Sequence, residues 1–224
     1  MAKRRKVGNL LGLAVLSTLV ERPMHPYEIA SLLRERGKEA DMDIKWGSLY
    51  TVVRNLEKHG FLEVADTTRS GARPERTVYR ISAAGREELT DWVRELVAEP
   101  QPEHPRFKAG LSVLAVLDPV EVAELLRQRL TALEEAKAAL RASLAASAAE
   151  VPRLFLIESE YELAIRDAEV AWVRSLLAEL DGGTFPDLAM WQAVRAEQDA
   201  LADHPRHQQD QQQQQDQQQE EHPR

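Results

Sequence analysis

The chain contains no cysteine, which excludes disulfides, zinc-thiolate sites and thiol catalysis and makes the cytoplasm its default compartment. Aromatic residues are scarce at 5%, so each tryptophan stands out as a packing anchor or a ligand platform. Long hydrophobic runs are missing too. Lys3-Arg4-Arg5-Lys6 followed by Leu10 to Val20 imitates a signal peptide, but the run is too short for a bilayer and no small-x-small cleavage site precedes Glu21. A buried first helix is the better reading, and no membrane association is expected. The basic cluster is read as a solvated start, with an arm reaching DNA phosphates as the alternative. Glu158, Glu160, Glu162, Asp167 and Glu169 lack a matching histidine, cysteine or glycine-rich phosphate loop, so they read as a hydrated helix face and not as an enzyme's carboxylates. No cofactor or metal is expected: His25 stands alone as a capping or packing residue, and His204, His207 and His222 are adventitious chelators at most.

With 224 residues, 43% of them hydrophobic, the chain can build one large core or two small ones. Charge is split between its halves. Residues 1–99 hold 17 Lys+Arg against 15 Asp+Glu, and residues 100–224 hold 12 against 22, net +2 and −10. A polyanion would therefore bind the first half, because counterion release depends on a local basic patch and not on the total.

The first half is organised around Gly47 to Lys58. Leu49, Val52, Val53 and Leu56 form one apolar helix face, Thr51, Arg54 and Lys58 point the other way with Tyr50 on the flank, and Ser48 is placed to cap. An apolar back, a basic, hydroxyl-bearing front and a Gly60-Phe61-Leu62 exit fit the recognition helix of a winged helix-turn-helix. Upstream, Pro26 presets a helix whose buried face is Ile29, Leu32 and Leu33 and which Gly37 ends, and a loop through Lys38 to Lys45 follows. Downstream, residues 61–65 and 77–81 read as two strands joined by a hairpin whose tip carries Arg69, Arg73 and Arg76. Ser82 starts a fourth helix through Trp92, and the proline-rich stretch Glu99 to Pro105 ends the domain. Trp92 is read as packing between domains, against a ligand platform as the alternative.

The second half is almost wholly helical. Asp118-Pro119-Val120-Glu121 is a capping box opening a long helix whose seam is Ala123, Leu126, Leu130, Leu133, Lys137, Leu140 and Leu144. Beyond Pro152 a second long helix runs to Asp181-Gly182-Gly183, with Leu154, Ile157, Tyr161, Ala164, Ala168, Ala171 and Trp172 as its stripe. Two antiparallel helices cannot bury all of this, so a homodimer is expected, with Leu126, Leu130, Leu133, Leu140, Leu144, Ile157, Tyr161 and Ala168 as dimerisation residues. A short helix from Pro186 to about Ala202 precedes a disordered Gln-rich tail. The fold class is thus mostly α: a basic arm (1–9), a winged helix-turn-helix with a two-stranded wing (10–99), an antiparallel long-helix dimerisation and effector domain (106–202), and the tail (203–224).

Met24-His25-Pro26-Tyr27-Glu28, Gly47-Ser48-Leu49-Tyr50, Leu56-Glu57-x-x-Gly60-Phe61-Leu62, and Gly71-Ala72-Arg73-Pro74 through Tyr79-Arg80-Ile81-Ser82 occur in order. Together they resemble the winged helix-turn-helix of the PadR family of bacterial transcriptional regulators. The second half is similar, more loosely, to the family's longer helical C-terminal domain. The resemblance implies a dimeric, usually repressing regulator that sometimes binds a small aromatic or drug-like effector, with Tyr27, Ser48, Tyr50 and Arg54 as helix contacts and Arg73 as a wing contact. Two departures stand out: Thr51 where the family commonly has proline, and Pro26 where glycine is frequent.

The expected function is sequence-specific binding of a palindromic DNA operator through Tyr27, Ser48, Tyr50, Thr51, Arg54, Lys58, Arg69, Arg73 and Arg76, by a homodimeric repressor in the cytoplasm. An effector is expected against Trp92 or Trp172, with core packing as the plainer role of both rings. The rival reading is a winged-helix protein-interaction module without specific DNA binding.

Overall fold

A computed structural model describes residues 5–42, 44–68, 76–198 and 200, without the side chains of residues 40, 41, 68 and 76. The chain divides into two compact units, Met1–Glu103 and His104–Arg224.

In the first unit α1 (Leu10–Thr18) is apolar on nearly every face and correspondingly buried from Leu11 to Leu16; the Asn9 carboxamide caps it by accepting the Leu11 N–H at 2.9 Å. Helix α2 (Pro26–Glu35) opens with a capping box: His25 Nδ1 accepts the Tyr27 N–H at 3.1 Å and Glu28 accepts the His25 N–H at 2.9 Å. Gly37 ends the helix in the left-handed region, φ 68°. The expected loop through Lys38 to Lys45 instead contains a short helix, α3 (Lys38–Met42). A tight turn over Trp46–Ser48 leads into α4 (Leu49–Lys58), which buries Leu49, Val52, Val53 and Leu56. Ser48 does not cap α4 with its side chain: its hydroxyl turns back and donates to the Lys45 carbonyl at 2.8 Å.

Strands β1 (Leu62–Thr68) and β2 (Arg76–Ile81) pair antiparallel, Leu62 opposite Ile81 and Val64 opposite Tyr79, with a bulge between Val64 and Asp66. Met24 and Tyr79 exchange two backbone hydrogen bonds of 3.0 Å, tying the entry to α2 onto the wing. Helix α5 (Ala83–Ala98) follows, its cap Ser82 accepting the Gly85 N–H at 2.9 Å. Trp92 on α5 is 4% exposed and packs inside this unit, with Gly12 of α1 beside its ring. Of the basic cluster, Arg5 is neither solvated nor free to reach DNA: it is paired with Glu88 and Glu95 of α5.

The second unit holds α6 (Arg106–Leu111), α7 (Pro119–Ser147), α8 (Ile157–Asp181) and a helical stretch over 188–198. Asp118 caps α7, accepting the Val120 N–H at 2.8 Å, with Pro119 at the first helical position. Arg127 pairs with Asp181, Glu134 with Arg174 and Lys137 with Asp167. Ascending numbers meet descending ones, so α7 and α8 lie antiparallel. Their core is Val122, Ala123, Leu126, Val173, Leu177 and Trp191, with Leu130 and Leu133 packed against it.

The apolar stripe expected for α8 is not the face it packs against α7. Leu154, Ile157, Tyr161, Ala164, Ala168, Ala171 and Trp172 are all exposed, and α8 buries Val170, Val173 and Leu177. Helix α8 carries apolar residues on two faces. One face, with Val170, Val173 and Leu177, fills the intrachain seam, and the other, with Ile157, Tyr161, Ile165, Ala168 and Trp172, is left outside.

Candidate nucleic-acid interface

The burial of Leu49, Val52, Val53 and Leu56 fixes which way α4 faces. At 100° per residue the opposite side carries Thr51, Arg54 and Lys58 with Tyr50 on its flank, and all four are exposed. Arg54 and Lys58 form no ion pair among the described residues, whereas Arg22, Arg34, Arg36 and Arg80 of the same unit each face a carboxylate within 4 Å. The front of α4 is therefore where unneutralised cations and a phenol collect. Tyr27 is 63% exposed in the first turn of α2, and Ser48 is half-buried with its hydroxyl committed to Lys45. Arg69 and Arg73 lie outside the described residues. Arg76 opens β2 opposite Thr68, and its side chain is likewise undescribed.

Tyr79 of β2 reaches the recognition helix. Burial pushes its phenol above the ordinary tyrosine range, reinforced by the charge of Glu57 on α4 and by a hydrogen bond between them. Only alternation in 77–81 hinted at this contact in the sequence. In α2, the His25 backbone N–H holds the Glu28 carboxyl below its ordinary value, with Arg22 adding to the effect.

In the second unit Trp172 is 47% exposed and meets Phe107 edge to face, ring centroids 5.9 Å apart. The Arg129 guanidinium lies 3.6 Å over the Phe107 ring and also pairs with Glu169. These residues, with Lys108 and Leu111, line an open cavity of about 510 Å³. Trp92 and Trp172 thus belong to different units, and Trp92 is consumed by packing. Of the expected dimerisation residues, Leu126 is buried in its own unit, Leu130, Leu133, Leu140 and Leu144 are half-buried, and Ile157, Tyr161 and Ala168 are open to solvent. Among the described residues there is no cluster able to hold a metal and no helix long and apolar enough to cross a membrane. His204, His207 and His222 lie outside them.

Residues 15–91 match the family model of the transcriptional regulator PadR-like family. A comparison with curated protein sequences gives no match. Among solved structures, the chain is similar to Bacillus subtilis PadR in complex with operator DNA, at 23% identity and a TM-score of 0.60 over 76% of this chain and 99% of that one. It is similar to the same protein in complex with p-coumaric acid at 22% and 0.62, over 77% and 99%. The PadR-like regulator BC1756 from Bacillus cereus gives 20% and 0.57, over 77% and 99%. At these identities the likeness establishes the fold, a winged helix followed by long helices.

Proposed function

From a chain whose residues 15–91 form a domain of the PadR-like family of transcriptional regulators, we propose a homodimeric repressor that binds a palindromic DNA operator in the cytoplasm. The observation that carries this reading is the front of α4: Tyr50, Thr51, Arg54 and Lys58 exposed together, with both cations lacking an internal partner among the described residues. Each subunit inserts the start of α4 into a major groove, while Tyr27 and the wing arginines Arg69, Arg73 and Arg76 fix the register through phosphates. That a related fold has been solved with operator DNA supports the docking mode.

The test is binding of the full chain to the duplex upstream of its own gene and to a scrambled duplex, at two salt concentrations. Tight, salt-sensitive and sequence-selective binding is expected. Arg54→Ala should cost about 1–3 kcal/mol and relax preference at one base pair if Arg54 reads guanine; uniform weakening on every sequence would reduce it to a phosphate contact. Binding that ignores both salt and sequence would favour the protein-interaction module instead.

The second copy docks on the outer face of α8. Ile157, Tyr161, Ile165 and Trp172 are each 47% exposed or more there, with Ala168 between them, a patch that a soluble monomer seldom leaves open. Tyr161→Asp, which leaves the intrachain seam untouched, is expected to shift the protein to monomer in analytical ultracentrifugation and to weaken operator binding with it. A Tyr161→Asp protein that sediments as the wild type does would place the dimer contact elsewhere. The effector, a small aromatic molecule, binds against Trp172 and shifts the operator-binding equilibrium by its differential affinity for two arrangements. The p-coumaric acid complex of the Bacillus subtilis relative supports an aromatic ligand on this fold.

A further inference from the structure

Seven positions separate Tyr27 from Arg34 on α2, so the two side chains leave the helix within about 20° of each other, about 10 Å apart along its axis. Tyr27 is the contact assigned to the DNA backbone, and Arg34 continues that face toward the turn that precedes α4. The Arg34 guanidinium lies over the Trp46 indole, 4.1 Å from the ring centroid. The ring's other support is the hydrophobic core of the winged unit, against which Trp46 packs. Glu39 of α3 accepts the Trp46 indole N–H and stands 3.8 Å from Arg34 Nε. The turn itself is closed by Ser48, whose N–H and hydroxyl both donate to the Lys45 carbonyl at 2.9 and 2.8 Å. Lys45 is exposed and has no ion-pair partner among the described residues.

A guanidinium stacked on an aromatic face is held in one orientation with its edges free, the arrangement suited to gripping a phosphate in a bidentate manner. At 3.8 Å Glu39 occupies one edge loosely, and with both side chains about half exposed (48% and 50%) the pair is weak. In a helix-turn-helix the first helix of the pair, here α2, crosses the sugar-phosphate backbone and the second, here α4, enters the groove. The turn between them therefore sits at the lip of the groove.

We propose that Arg34, stacked on Trp46 and flanked by Lys45, is a binding site for a backbone phosphate of the operator, and that Glu39 occupies the guanidinium as a stand-in anion until DNA replaces it. This rests on the DNA-binding reading above and adds to it a site outside the recognition helix and the wing. A phosphate gripped here carries no sequence information; it sets the depth and register at which Tyr50 and Arg54 meet base edges. Glu39 acts as a brake, because each head gives up an internal ion pair to gain an external one.

The test compares four full-length proteins, wild type, Arg34→Gln, Glu39→Gln and the double variant, on operator and scrambled duplex across a salt series, with thermal melts to establish folding. Arg34→Gln should weaken both duplexes alike, about fivefold, and lower the salt slope by about 0.9 for each head engaged. Glu39→Gln keeps an acceptor for the indole N–H and removes the competing charge, so it should tighten both duplexes about two- to fivefold. That gain must vanish when Arg34 is already Gln. A gain that persists in the double variant means Glu39 merely repels DNA at large and overturns the proposal, as does an unchanged slope in Arg34→Gln. Should wild-type protein show no salt-sensitive binding to any duplex, the DNA-binding reading falls and the site falls with it.

Discussion

Gly85→Ala should destabilise the winged unit by about 3 kcal/mol or more, although alanine is by about 1 kcal/mol the better helix former. A β-carbon on Gly85 would lie 2.1 Å from the Phe61 carbonyl oxygen and 2.9 Å from Ile81 Cγ1. Backbone cannot retreat from such a contact as a flexible side chain would. The carbonyl is also engaged: it accepts the Ser82 N–H at 3.0 Å, while the Ser82 hydroxyl donates to the Gly60 carbonyl at 2.6 Å. One small joint therefore holds the exit of α4, the base of the wing and the start of α5, with Gly60 turning the chain at φ 77°. Moving α5 away to admit the methyl group breaks these bonds and tilts the wing relative to α4. Urea denaturation of the full chain, with duplex binding measured alongside, tests the size and the sign. A variant as stable as wild type, or more stable, would mean that helix propensity outweighs the contact and that the joint is looser than described.

Nothing in the local sequence marks Gly85 out. A glycine in the first turn of a helical stretch reads only as a weak helix former, since the atom it avoids belongs to a residue 24 positions earlier. The same limit separates what was legible from what was not. The back and front of α4 follow from periodicity alone, because burial on a short amphipathic helix is a property of that helix. His25 and Asp118 are read as caps for the same local reason. Helix α8 is different: with two apolar faces its pattern is compatible with either orientation, and only the shape of α7 decides which goes inward. The sequence suggests Trp92 lies between domains because an isolated tryptophan near a boundary has no local signal naming its neighbours, and the structure buries it within the winged unit. Within the candidate site, the front of α4 was legible, whereas the stacking of Arg34 on Trp46 depends on α3, whose five residues (Lys38–Met42) carry too little pattern to announce a helix.

Arg5 is the other position where a large effect is expected, and it too was hidden, within a basic run that composition alone reads as solvated. Its side chain is 7% exposed, with Nη1 2.6 Å from Glu88 and Nη2 2.6 Å from Glu95, themselves 13% and 20% exposed. The guanidinium also lies 5.1 Å from the centroid of the Trp92 ring, and its Nε is buried without a hydrogen-bond partner. Two carboxylates and one cation leave a net negative charge in a poorly solvated place. Removing the cation strands both acids, and breaking a buried pair in this way costs about 3–5 kcal/mol. Arg5→Ala should therefore unfold the winged unit at markedly lower denaturant. Arg5→Lys should recover only part of the loss, because one ammonium cannot fork to two acids placed about two turns apart on α5. The informative variant is Arg5→Met combined with Glu88→Gln and Glu95→Gln, which removes every charge and keeps most of the packing. If stranded carboxylates are what destabilises Arg5→Ala, the triple variant regains at least half the loss. If it remains as unstable as Arg5→Ala, with the apolar stem still in place, then the ion pairs to Glu88 and Glu95 and the guanidinium's stacking on Trp92 are themselves what hold the N-terminal segment to α5.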